Sequence, residues 1–351
     1  MALIGALAVI WVVLFAATHG TFASPRNLAL LARQMSVTSL LAVGMVLVIV
    51  TREIDLSVGA MAGLLGGVAA IAYERAGWPL AFVFIATLAL GALLGLAQGT
   101  LVAWLRIPSF IVTLGGMLVF QGTLLGATGG ISISPGRPFL FVGQAYLPRA
   151  LGWVITAIFT GGLLALAARA SGRARWKWVG VAALPILFAA VMNAYEGIPL
   201  PVLLVLLVAA ALWVLARHTP FGRRLYAIGG NREAALYSGV RIERHVAGVF
   251  TLMGLLGGAA GIVLTARVGS ATSDAGRLME LDAIAAAVIG GTSLLGGRGT
   301  VWGALLGALM MASLDNGMSL LNTEPFWQPI LKGAILVAAV AADMAGRRER
   351  A

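Results

Sequence analysis

Long apolar runs separated by short polar clusters dominate this chain. Runs near the roughly 20 residues that a helix needs to cross a hydrocarbon core occur at 2–18, 28–50, 56–73, 80–105, 107–127, 151–169, 178–195, 199–216, 246–266, 280–297, 301–321 and 327–344. The pattern predicts an all-α polytopic membrane protein with 10–12 transmembrane helices in a single domain over 1–351. Glycine pairs at 66–67, 115–116, 290–291 and 296–297 let backbones pack closely or let a helix break. Close packing is the default reading, and a broken helix at Gly290-Gly291-Thr292-Ser293 is the sharper one. No basic residue precedes the first run, so Met1 to Thr18 reads as a first transmembrane helix rather than a signal peptide. A leader lost by truncation or a late start is the alternative.

Composition excludes the soluble classes. Of 351 residues, 60% are hydrophobic and 11% charged, whereas a soluble domain carries about 25% charged residues. So few charges cannot solvate a globule of this size. The net charge of +11 reads as topology rather than as an anionic partner. With the N-terminus inside, sixteen basic residues fall on the cytoplasmic side: Arg52, Arg106, the group from Arg169 to Lys177, those from Arg217 to Arg244, Arg298, and Arg347 to Arg350. Seven fall outside: Arg26, Arg33, Arg75, Arg137, Arg149, Arg267 and Arg277. Both termini are then cytoplasmic, and Lys332 lies within the last span. No basic stripe is interleaved with stacking aromatics, so no nucleic-acid partner is expected. With no cysteine, disulfides and thiolate metal sites are excluded.

The longest cytoplasmic loop, 217–245, is polar and basic. Asn231 is suited to cap a short helix over 232–237 that Gly239 ends. The loop is either a docking element or a plain solvated connector. The outer loop from Thr128 to Arg149 is rich in Gly, Ser and Pro, which predicts irregular, exposed chain. A weak internal repeat also shows. Ile54-Asp55, 64–67, 91–95 and 108–110 recur in order as Leu281-Asp282, 294–297, 303–307 and 325–327, as in transporters with duplicated halves.

Catalytic chemistry finds little support. Neither Lys177 nor Lys332 completes G-x-x-x-x-G-K-[ST], so any ATP driving transport is hydrolysed by another polypeptide. Neither H-E-x-x-H nor G-x-S-x-G occurs, which disfavours an intramembrane enzyme. The few acids say more, because ionisable groups at membrane depth face a bundle interior or a watery path. Asp55 and Asp282 either cap helices or meet a substrate, and Asp315 either tunes selectivity or pairs with a neighbour. Asp55, Ser57, Asp282, Thr292, Ser293, Asp315 and Asn316 are the candidate lining of a translocation path.

Several blocks carry a family resemblance. They are Glu53 to Gly59 (EIDLSVG), Tyr226 to Asn231 (YAIGGN) with Glu233 to Ala235 and Ser238-Gly239, Glu280 to Ala286 (ELDAIAA), Ile289 to Ser293 (IGGTS) and Gly296 to Gly303 (GGRGTVWG). Together the chain resembles the permease subunits of bacterial monosaccharide ABC importers of the ribose/xylose/galactose group. It is most similar to the D-xylose branch, through Arg52-Glu53, Ser313 to Ser319 and an extra two-span segment around 170–216. The resemblance implies a multi-pass protein of the bacterial inner membrane, without cofactor and not itself an enzyme. Implied partners are ABC ATPase subunits on the cytoplasmic face, a periplasmic or cell-surface sugar-binding protein, a second permease copy and lipid. It further implies that Gly229, Gly230, Asn231, Glu233, Ala234, Ala235 and Gly239 form the segment that couples to the ATPase. An ion-coupled secondary transporter or channel for a small polar solute is the alternative.

Overall fold

The computed structural model describes residues 2–169 and 172–348. Arg350, one of the expected cytoplasmic charges, and Ala170 with Ser171 lie outside the described residues. The helices are α1 (Ala2–Ala17), α2 (Pro25–Val50), α3 (Val58–Glu74), α4 (Leu80–Ala103), α5 (Ser109–Thr128), α6 (Arg137–Gln144), α7 (Arg149–Arg169) and α8 (Arg173–Asn193). They continue as α9 (Leu200–His218), α10 (Pro220–Gly230), α11 (Arg232–Tyr237), α12 (Ile242–Val268), α13 (Met279–Ile289), α14 (Val301–Leu320) and α15 (Trp327–Arg348). Among the described residues the only β pairing is two isolated bridges, Ile133 with Ala271 and Tyr146 with Pro199. Seven helices, α2, α4, α5, α7, α8, α9 and α12, are long and apolar enough to cross a membrane; α1, α3 and α15 supply shorter apolar stretches.

Helices α2 and α12 form the centre. Every residue of α2 from Ser36 to Val50 is buried, which is why this helix is apolar on all sides rather than on one stripe. It starts cleanly because Pro25 fills its first turn and Ser24 accepts a hydrogen bond from the Asn27 amide at 3.3 Å. Around this pair the chain falls into two series of four, α2–α5 and α12–α15, and the long first helix of each packs on the other series. Helix α12 runs along α3 and α4, and α2 runs along α13 and α14. The sequence repeat follows this order at three of its four blocks. Residues 91–95 and 303–307 lie in α4 and α14, 108–110 and 325–327 lead into α5 and α15, and 54–55 and 281–282 open α3 and α13. The match of 64–67 to 294–297 does not hold, since the first is helix interior and the second is loop.

The α4–α12 crossing depends on small residues. Gly91 and Gly95 face the Gly254 and Phe250 carbonyls, and Gly254 faces Gly91, so that a β-carbon at any of the three would overlap backbone. Backbone cannot swing aside as a flexible side chain can. Gly254→Ala is therefore expected to cost about 1–3 kcal/mol through forced separation of the two helices, seen as a lower unfolding midpoint in detergent. Gly115→Ala, where a β-carbon meets open space, is the control and should leave the midpoint unchanged.

The expected span 280–297 is not a crossing helix. Helix α13 has 11 residues and ends at Ile289, only about 16 Å of helix at 1.5 Å per residue. Gly291, Gly296 and Gly297 have φ of 91°, 79° and 70°, in the left-handed region that glycine occupies without strain, and residues 290–300 form a tight loop. The chain immediately before α13 is non-helical. Residues before α13 run beside α3, with the Ala275 carbonyl against Gly63 and the Gly276 carbonyl against Gly59. Glu280 also touches Gly59, so the N-termini of α3 and α13 meet within the bundle. The break at Gly290-Gly291 is thus real, and Gly290 also packs closely, against Gly303.

Helices α7 and α8 pack chiefly on each other, whereas α9 lies along the central α2. The hairpin that stands apart from the two series runs from 149 to 193.

Candidate functional site

The loop between α9 and α12 carries the expected short helix, α11, and before it the helix α10, which the sequence reading did not foresee. Asn231 accepts a hydrogen bond from the Ala234 amide at 3.0 Å and so caps α11, and Gly239 follows it at φ 77°. The coupling candidates divide by position. Glu233, Ala234 and Gly239 are exposed, whereas Ala235 is buried in the central core and Gly229 is buried against the Val50 carbonyl and the Gly297 amide. Two residues that sequence reading did not single out, Leu236 and Tyr237, are 54% and 88% exposed. An aromatic ring held that far into solvent on a short capped helix has no role in packing the chain itself.

Behind α11, the joint Gly229-Gly230-Asn231 is held by two other loops. Arg52 donates from Nε to the Gly229 carbonyl at 2.8 Å and from Nη2 to the Gly230 carbonyl at 3.0 Å. Arg232 reaches Glu53 at 3.3 Å. From the loop before α14, the Gly297 amide donates to the Val50 carbonyl at 2.9 Å. The Gly299 carbonyl accepts from the Tyr226 hydroxyl at 2.9 Å. Burial pushes the Tyr226 phenol above its ordinary range, against the opposing pull of Arg217. The joint therefore touches the segment entering α3 and the segment entering α14 at once. Arg52 and Tyr226 were visible in the family blocks, but nothing local in the sequence showed that they meet.

The candidate path residues do not form one site. Asp55 is buried and accepts from the Ser57 amide at 2.8 Å and the Ser57 hydroxyl at 2.7 Å, immediately before α3. The carboxylate thus closes a turn on Ser57, the N-cap residue of α3, rather than capping the helix itself, and Gln98 of α4 extends the network by donating to Ser57 Oγ at 3.0 Å. Thr292 and Ser293 lie in the 290–300 loop. There Ser293 receives the Leu295 amide at 3.2 Å, and the Thr292 hydroxyl is buried without a partner. Asn316 is paired with Asn27, each amide donating to the other at 3.0 and 2.8 Å, which ties α14 to the start of α2.

Asp282 does not cap α13, because the capping position is Leu278 and the carboxylate points elsewhere. Lys332 of α15 lies 2.8 Å from Asp282 Oδ2 and 3.0 Å from Asp315 Oδ2. One ammonium thus bridges two aspartates on separate helices, and the pairing alternative for Asp315 is the observed one. Lys332 was legible as a lone lysine in an apolar span, and a charge at that depth demands a partner. Which partner it takes depends on helix packing.

Comparison with known proteins agrees with this architecture. The family model for the permease component of branched-chain amino acid transport systems matches residues 27–340. The xylose transport system permease protein XylH of Escherichia coli is 49% identical, over 94% of this chain and 88% of that protein. XylH of Haemophilus influenzae is 44% identical over 98% of this chain and 96% of that protein. The ribose import permease protein RbsC of Bacillus subtilis is 36% identical over 95% of this chain and 89% of that protein. No solved structure matches. A helical bundle with repeated series, a capped loop helix held by the segments entering α3 and α14, and a match along nearly the whole chain agree: this is a multi-pass membrane protein of the branched-chain amino acid transport system / permease component family.

Proposed function

We propose that this chain is the membrane subunit of an ATP-driven importer whose cargo is D-xylose. Similarity to the xylose permeases over almost all of both chains supports the sugar. The observation that carries the mechanism is the joint at Gly229 to Asn231, clamped by Arg52 on one side and the Gly297–Gly299 loop on the other. The basic loop faces the cytoplasm, where α11 offers Glu233, Leu236 and Tyr237 to an ATPase subunit. A push on α11 reaches the starts of α3 and α14 through short hydrogen bonds rather than through a flexible linker. ATP binding then favours one access state over the other through its different affinity for the two. A sugar-binding protein delivers cargo to the opposite face, and a second copy of the permease completes the pathway. Both termini lie in the cytoplasm.

The test is uptake of labelled D-xylose, ribose and galactose into vesicles containing permease, ATPase and binding protein, compared with vesicles lacking the permease. Xylose entry that requires both ATP and the permease is the expected result. Entry of another sugar alone keeps the importer and discards xylose. Entry that persists without the ATPase under a proton gradient moves the protein to the ion-coupled class.

A further inference from the structure

We propose that Asp282, Asp315 and Lys332 form a station at membrane depth that binds hydroxyl groups of the sugar in transit. The proposal rests on the importer reading above and adds a binding site to it. Each aspartate gives one oxygen to the shared ammonium, at 2.8 and 3.0 Å. The other oxygen of each, Asp282 Oδ1 and Asp315 Oδ1, is buried and has no hydrogen-bond partner. The Asp282 side chain is 7% exposed, and a carboxylate oxygen so withdrawn from water is costly unless a donor reaches it. The three groups come from α13, α14 and α15, so the free oxygens belong to an inter-helix site rather than a local cap. Lys332 and Asp315 side chains retain 14% and 18% exposure, so the cluster is not fully enclosed.

The chemistry of the cluster selects its ligand. The Lys332 ammonium repels a metal cation, and two carboxylates repel an anion. What fits is a neutral molecule with at least two O–H donors for the free oxygens and a lone pair for the remaining ammonium hydrogen. A vicinal diol of a monosaccharide meets all three requirements in one rigid unit. The cluster's position also suits a pathway role, since α13 is the half-helix whose ends are loops.

The experiment is ATP-driven uptake of D-xylose and of its monodeoxy analogues in the complete system. It compares the wild type, Asp315→Asn, and the charge-free Asp282→Leu/Asp315→Leu/Lys332→Met variant. Using one binding protein throughout cancels its own discrimination when ratios are compared. Asp315→Asn should shrink the preference for xylose over the affected analogue about tenfold, the loss expected for one hydrogen bond to a charged group. The charge-free variant should lose that preference while loaded binding protein still stimulates ATP hydrolysis by the ATPase subunits assembled with it. Wild-type uptake and unchanged ratios in both variants would overturn the proposal and leave the cluster a structural bridge. If the charge-free variant does not assemble, the Asp315→Asn ratio decides alone. Failure of the xylose or importer reading shows separately in the wild type, as uptake of another sugar or uptake without the ATPase. The ratio test then runs with the sugar that enters and its own deoxy forms.

Discussion

Replacing Lys332 by methionine is expected to destabilise the protein by about 3–5 kcal/mol, the usual cost of removing one partner from a buried ionic cluster. Lys332 neutralises Asp282 and Asp315 together, with side chains only 14%, 7% and 18% exposed. Without it, two carboxylates on α13 and α14 face each other with no counter-charge and little water. The loss should appear as a lower yield of monodisperse protein and a lower unfolding midpoint in detergent. Removing all three charges together should recover most of that stability, because apolar side chains of similar size carry no desolvation penalty. The two variants thus separate holding the helices together from recognising the cargo. An unchanged midpoint for Lys332→Met would show that the ammonium does not neutralise the aspartates.

The second large effect concerns α11. Tyr237→Ala should weaken binding of the ATPase subunit by about thirtyfold, in line with the roughly 2 kcal/mol lost when a central aromatic anchor of an interface is truncated. Leu236→Asp should add to it by placing a charge in the same contact. Both side chains are largely solvent-exposed, at 88% and 54%, so neither change should alter the unfolding midpoint of the isolated permease. Titrating ATPase subunit onto the solubilised permease measures the effect directly. Normal affinity in both variants would remove α11 as the docking element. Mutating the buried Ala235 or Gly229 is a poorer probe, since each would disturb the core or the joint before any partner binds.

The elements differ in how far they were legible. The crossing helices could be read because each needs a long apolar run, and hydropathy reports that directly. The α11 helix was legible for another local reason, since Asn231 and Gly239 terminate it through their own side-chain and backbone preferences. The run 280–297 was misleading as a span. Its apolar length is adequate, yet the chain leaves the helix at Gly290 and turns through three left-handed glycines. Hydropathy cannot distinguish an apolar loop packed inside a bundle from a helix facing lipid. Asp282 shows the same limit, since an acid in the first turn of α13 has the local signature of a cap and is in fact the partner of Lys332, 50 residues away.

By itself the sequence determined that this is a polytopic helical membrane protein, where most of its long helices run, which loop carries a short capped helix, and to which family it belongs. These follow from properties that act within one run or one turn: apolar length, capping chemistry and contiguous motif blocks. The tertiary structure alone decided the partners. It placed Arg52 on the glycine joint, Asn27 against Asn316 across 289 residues, and Lys332 between two aspartates. Such pairings depend on which faces of which helices meet, and in a chain of uniformly apolar helices no local spacing encodes that choice.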